Sequence, residues 1–229
     1  MNLNRKVVLA GIAAATAILA QTGAASSQSG TPLSGTLKLT AGKAVHVHGQ
    51  AQYTGTYFRM LLPGQTDQYF KNPDSRANDQ SYTLLRPGSD GGLELGGYQP
   101  APSPPFAANG FALAHRITQP ETFASIKFSI STARVDAQSG ATDAPPSLVL
   151  RGTKITGNLS AWTAEWNKIY FNQGAPKPAA DPYPGDTRPV IGTYNPKTKA
   201  FTITWYSLIV GGPFNGFTGF WHLQGFVKR

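Results

Sequence analysis

The 229-residue chain contains no cysteine. That excludes disulfide staples, a thiol nucleophile and a lipid-modified cysteine, and it leaves the fold to be held by its core alone. Charge is scarce as well: Asp, Glu, Lys and Arg make up only 14% of the residues. Glutamate is confined to Glu94, Glu121 and Glu165, and histidine to His46, His48, His115 and His222. The chain has no Gly-x-Ser-x-Gly elbow, no Ser-x-x-Lys, no Walker-type loop and no glycine fingerprint behind a strand. The common acyl-transfer and nucleotide-binding signatures are therefore missing. "NPDSRANDQS" offers Asp74, Asn78 and Asp79 but lacks the terminal glutamate of an EF-hand loop. No internal repeat of fixed period is present.

One apolar run stands at the N-terminus. Arg5 and Lys6 precede "VVLAGIAAATAILA" (7–20), and the small residues Gly23, Ala24 and Ala25 follow. A basic start, a short apolar stretch and small residues are the pattern of a secretory signal peptide over 1–25. The run is shorter than the roughly 20 residues a membrane helix needs. Later stretches are shorter still, so no transmembrane segment is expected after cleavage. Without Arg5 and Lys6, 18 basic residues stand against 11 acidic ones. Export, size and the lack of cysteine point to a secreted or cell-envelope protein, extracellular or periplasmic. Residues 26–33 read as a flexible linker and 34–229 as a single domain.

What the chain has in quantity is glycine (25), proline (18) and aromatics (11%). With short alternating segments between turn signals, this predicts a mainly β fold, an antiparallel β-sandwich or open barrel. Between 44 and 57, Val45, Val47, Ala51, Tyr53 and Tyr57 share one parity, and His46, His48, Gln50, Gln52, Thr54 and Thr56 the other. That pattern predicts one strand with an apolar and a wet face, with a bulge near Gly55. Residues 82–86 and 93–98 flank Asp90-Gly91 and predict a hairpin. "NLSAWTAEWNKIYFNQG" (158–174) predicts one short amphipathic helix near 160–172. Ser160 would be its N-cap, Gly174 its terminator, and Leu159, Trp162, Trp166 and Ile169 its apolar stripe. Near the C-terminus "VIGTY", a turn at 195–198, "FTITWYSLIV", the turn "GGPFNGFTG" and "FWHLQGFV" form a meander.

Three chemistries can be drawn from these residues. The first is non-enzymatic binding of an acidic polymer, attracted by the positive charge, or of a glycan stacked on exposed Tyr98, Phe106, Tyr170 or Tyr183. Basic residues are scattered, without an arginine-rich run, so nucleic acid is not expected. The second is a zinc or copper site, or a metal-dependent hydrolase, built from His46 and His48 if the last strand brings His222 beside them. No acidic residue lies close in sequence to support such ligands. The third is a glycosidase-like pair drawn from Glu94, Glu121 and Glu165. The first, with no cofactor, is the reading that this sequence favours.

Overall fold

A computed structural model describes residues 30–178 and 187–229; the expected leader and Tyr183 lie outside them. The described residues form sixteen strands, paired antiparallel in every ladder. Along the chain these are β1 (Thr31–Leu33), β2 (Thr36–Leu39), β3 (Lys43–Val47), β4 (Gln50–Thr54), β5 (Tyr57–Leu61), β6 (Thr83–Leu84), β7 (Gly92–Glu94) and β8 (Glu121–Phe123). There follow β9 (Ile126–Thr132), β10 (Ser147–Arg151), β11 (Lys154–Asn158), β12 (Trp162–Trp166), β13 (Ile169–Asn172), β14 (Arg188–Tyr194), β15 (Ala200–Leu208) and β16 (Thr218–Lys228).

Ten strands build a curled sheet in the order β1-β10-β11-β14-β15-β16-β2-β7, with β5 on β16 and β6 on β5. Its curl comes from β16, which is eleven residues long and changes partners midway. Residues 218–222 pair with β5, and residues 225–228 pair with β2. Gly55 fills the gap where those two partners diverge. It adopts φ +76, and a Cβ there would meet the Ala41 carbonyl oxygen at 2.2 Å, so only glycine fits. A second sheet, β13-β12-β9-β8, packs against the first, and β3-β4 stands apart as a hairpin.

The interior lies between the two sheets. In β15, Phe201, Ile203 and Trp205 turn inward, and Thr202, Thr204 and Tyr206 turn outward, as their alternation predicts. Trp205 and Trp221 come from the large sheet and Trp162 from the small one, all at most 1% exposed. Their ring centroids are 5.4–5.9 Å apart. Each removes about 200 Å² from water, an upper limit of about 5 kcal/mol before the entropy of ordering the chain. Buried Gln173 ties two of them: its carbonyl accepts from Trp205 Nε1 at 2.8 Å and its Oε1 from Trp221 Nε1 at 3.3 Å.

Several local expectations are corrected. No helix forms near 160–172; the segment is the hairpin β12–β13. Trp162, Ala164 and Trp166 alternate with Thr163 and Glu165, so a four-residue spacing served two strand repeats as well as one helical turn. Asn167 and Lys168 decide it, because both adopt positive φ (48 and 64) and form the tight turn. Residues 44–57 likewise are not one strand. His48 and Gly49 take positive φ (50 and 77), the chain reverses there, and both faces of β3–β4 are largely exposed. Leu33, within the expected linker, is buried in β1. The segments flanking Asp90-Gly91 do not pair with each other: β6 joins β5, and β7 joins β2. The turns at 195–198 and 211–217 lie where the sequence puts them. Asn195 Oδ1 accepts from the Lys197 and Thr198 amides, and Phe214 and Phe217 pack on Phe70.

Candidate ligand-binding face

Strand alternation sends every second side chain of β14, β15, β16 and β5 outward, and register aligns them across the sheet. Arg188 lies opposite Tyr206, Tyr206 opposite Phe220, and Phe220 opposite Arg59. Directly opposed residues share a face, so these four form a row with an arginine at each end. Three strand spacings separate the arginines, about 14 Å of sheet. The neighbouring row runs Ile191, Thr204, His222 and Tyr57 by the same pairings.

The rings on this face are closely stacked. Tyr206 meets Phe220 at 4.8 Å, and Tyr57 lies parallel to His222 at 4.4 Å. Tyr53 of the free-standing hairpin stacks on Tyr82 at 3.9 Å and anchors that hairpin beside the face. The Arg59 guanidinium sits between two rings, 3.3 Å from the Tyr69 centroid and 4.1 Å from that of Tyr82, while Arg188 covers Tyr206 at 4.6 Å. Arg59 Nη2 donates to Ser81 Oγ at 3.0 Å, and its buried Nε has no partner among the described residues. Neither arginine is within ion-pair distance of a carboxylate among the described residues. Among the described residues, the face therefore carries positive charge without a carboxylate partner, on an aromatic bed.

Burial, then the neighbouring Tyr82, pushes the Tyr57 phenol up to about 12. Burial likewise raises Tyr69, although the Arg59 charge opposes it. Both phenols stay protonated and can donate hydrogen bonds at neutral pH. His222 is lowered by burial, against the pull of its bond to Gly55. Its Nδ1 lies 2.8 Å from the Gly55 carbonyl, which requires that nitrogen to carry the proton. Gln224 completes the clamp by accepting from Gly55 N at 2.7 Å.

The histidines proposed from sequence are thus separated in role. His46 is exposed on β3, His48 sits in the hairpin turn rather than on the strand face, and His222 is bound to Gly55 in β16. Among the described residues no three His, Asp or Glu side chains come together as a metal-binding group. His115 is exposed. Glu94 is exposed on β7. Glu121 is paired with Arg76 (3.1 Å) and Arg86 (2.8 Å).

Glu165 is wholly buried on the outer face of the small sheet, a position that the helix expectation could not place. Register puts Ser129 and Tyr170 beside it, and Ser131, Thr163 and Asn172 in the adjoining row. Ser129 Oγ donates to Glu165 Oε2 at 2.8 Å, and among the described residues Oε1 has no partner. Burial raises this carboxyl above the ordinary range, and the Ser131 and Ser129 hydroxyls only partly oppose that. Over the same face lies an open cleft of about 530 Å³ between the proline-rich segment 100–105 and Ser131 and Thr163. Tyr170 lines it, Phe106 packs edge-on against Tyr170 at 5.3 Å, and the cleft-lining Arg134 lies over Tyr98 at 5.4 Å. Three aromatics singled out in the sequence thus gather around one cleft.

The arginine–aromatic row itself was missed in the sequence. Its signal was the outward parity of "TWY" and "FWH", which becomes a face only when register is known. Comparison with protein families, with characterised proteins and with solved structures finds no match for this chain.

Proposed function

We propose that this chain is an exported, non-enzymatic binding protein that holds an acidic glycan on the outer face of its large sheet. The row Arg188–Tyr206–Phe220–Arg59 carries the reading. Aromatic rings stack on the apolar faces of sugars, and a guanidinium pairs with a carboxylate in two parallel hydrogen bonds. Without Arg5 and Lys6, 18 basic residues against 11 acidic ones leave a net positive charge that attracts such a polymer at long range. Export is supported by the basic, apolar and small-residue succession over 1–25.

Native electrophoresis through gels containing alginate, neutral dextran or oligo-dT tests the reading. Retardation by alginate that weakens with salt, and none by dextran, is expected. Equal retardation by dextran removes the charge recognition. Stronger retardation by oligo-dT replaces the glycan with single-stranded nucleic acid, which also stacks on aromatic sheets. N-terminal sequencing of protein recovered outside the producing cells should start at or next to Ser26.

A further inference from the structure

Asp136 and Asp143 lie in a small ribbon that follows β9. The ribbon closes through the Val135–Thr142 bridge, with Asp136 N donating to Ala141 O and Asp143 N to Arg134 O, both at 2.8 Å. In that register the two aspartates occupy one face as diagonal neighbours. Each is 2% exposed. Their hydrogen bonding is unequal. Asp136 Oδ1 accepts from the Gln138 amide (3.0 Å), the Ser139 amide (2.6 Å) and the Ser139 hydroxyl (2.8 Å). Asp143 Oδ2 has a contact to Asn172 Nδ2 at 3.4 Å, and among the described residues Asp143 Oδ1 and Asp136 Oδ2 have no partner.

Two buried carboxylates this close cannot both ionise cheaply, and three donors favour the charge on Asp136. We propose that Asp143 holds a proton that latches the 134–143 ribbon onto the edge of β13, and that its loss undocks the ribbon. The ribbon grips that edge through Gln138, whose Nε2 donates to Tyr170 O at 2.8 Å and whose Oε1 accepts from Asn172 N at 2.7 Å. Because Arg134, Val135 and Ala137 also line the cleft, undocking widens it.

The groups that face Asp143 from other elements are known. Tyr98 OH donates to its carbonyl at 2.6 Å, and Arg134 lies over the Tyr98 ring. The Ser160 hydroxyl and the Lys177 ammonium both favour the charged form, and Lys177 Nζ also donates to Asn172 O at 2.6 Å. Glu165 and Tyr170 stand one row along the sheet. Burial, then the Asp136 charge, outweighs these and raises Asp143 to about 7. The undocked carboxyl has an ordinary value near 4. The docked ribbon therefore loses stability as pH rises from about 4 to about 7 and stays loose above that.

Hydrogen exchange of the full chain at pH 5 and pH 8, corrected for intrinsic rates, tests this. Protection of the Asn172 and Gly140 amides should fall by about tenfold or more in the wild type. It should stay level in Asp143→Asn and still fall in Glu165→Gln. No fall in the wild type, or the same fall in Asp143→Asn, overturns the proposal. If Asp143→Asn does not fold, carboxyl carbon shifts of the wild type decide: titration near 7 supports the latch, and titration near 4 overturns it. Calcium at millimolar concentration that binds one-to-one and restores protection at pH 8 overturns it too, because the pair is then a cation site.

Discussion

The Arg59 guanidinium lies 3.3 Å from the centre of the Tyr69 ring, with Tyr82 at 4.1 Å on its other side and, among the described residues, no carboxylate in ion-pair range. A cation held this way keeps its charge and loses most of its freedom. With Arg188 at the other end of the row, it makes a rigid positive surface from side chains that the strands already order.

Arg188→Ala should weaken alginate binding about three- to tenfold, close to the worth of one exposed cation–aromatic pair with its charge. Arg188 is exposed and its intramolecular contact is the Tyr206 ring, so stability should fall by no more than about 1 kcal/mol. Affinity measured by calorimetry in low and moderate salt checks this, and the variant should show a shallower salt dependence than the wild type.

The tryptophan triad predicts an asymmetry. Trp205→Phe strands the Gln173 carbonyl that accepts from Trp205 Nε1, whereas Trp162 Nε1 has no partner to lose among the described residues. Trp205→Phe should therefore cost about 1–2 kcal/mol more than Trp162→Phe. Urea unfolding of both variants gives the difference, and equal losses would contradict the role given to Gln173.

Lys168→Gly separates a hairpin from a helix at 160–172. Lys168 takes φ 64, a region glycine enters freely, so the change should stabilise the protein by up to about 1 kcal/mol. In a helix interior it would destabilise by about that amount. The sign of the shift in thermal midpoint is the readout.

Much of the fold was legible because the β15–β16 region alternates strictly, and its turn chemistry, Asn195 with its Asx bonds, is local. The 158–174 segment was misread because Trp162 and Trp166 satisfy two periods at once. The sequence cue that separates them, positive φ at Asn167-Lys168, is carried by a pair less distinctive than Asn-Gly. "VHVHG" was misread for a related reason: a His-Gly turn hides inside an alternating run. The candidate site was less legible still. Arg59, Arg188, Tyr206 and Phe220 are up to 161 residues apart in the chain, and only strand register makes them neighbours.

Glu165→Gln tests the buried carboxyl. Burial holds Glu165 above the ordinary range, so the folded chain retains a proton that the unfolded chain has released. Stability then falls as pH rises from the unfolded value through the folded one. Glutamine stays neutral, so the variant should gain on the wild type as pH rises from 5 to 8. Asp143 contributes the same sign in both proteins and drops out of the comparison. Parallel urea midpoints across that range would contradict the account.

The central claim is most directly tested by titrating isotope-labelled protein with an alginate oligosaccharide and following the backbone amides by NMR. The account predicts that the largest shifts cluster at Arg59, Arg188, Tyr206, Phe220 and His222. Shifts confined to residues 100–106, Ser131, Thr163 and Tyr170 would place the ligand in the cleft on the opposite sheet and contradict it.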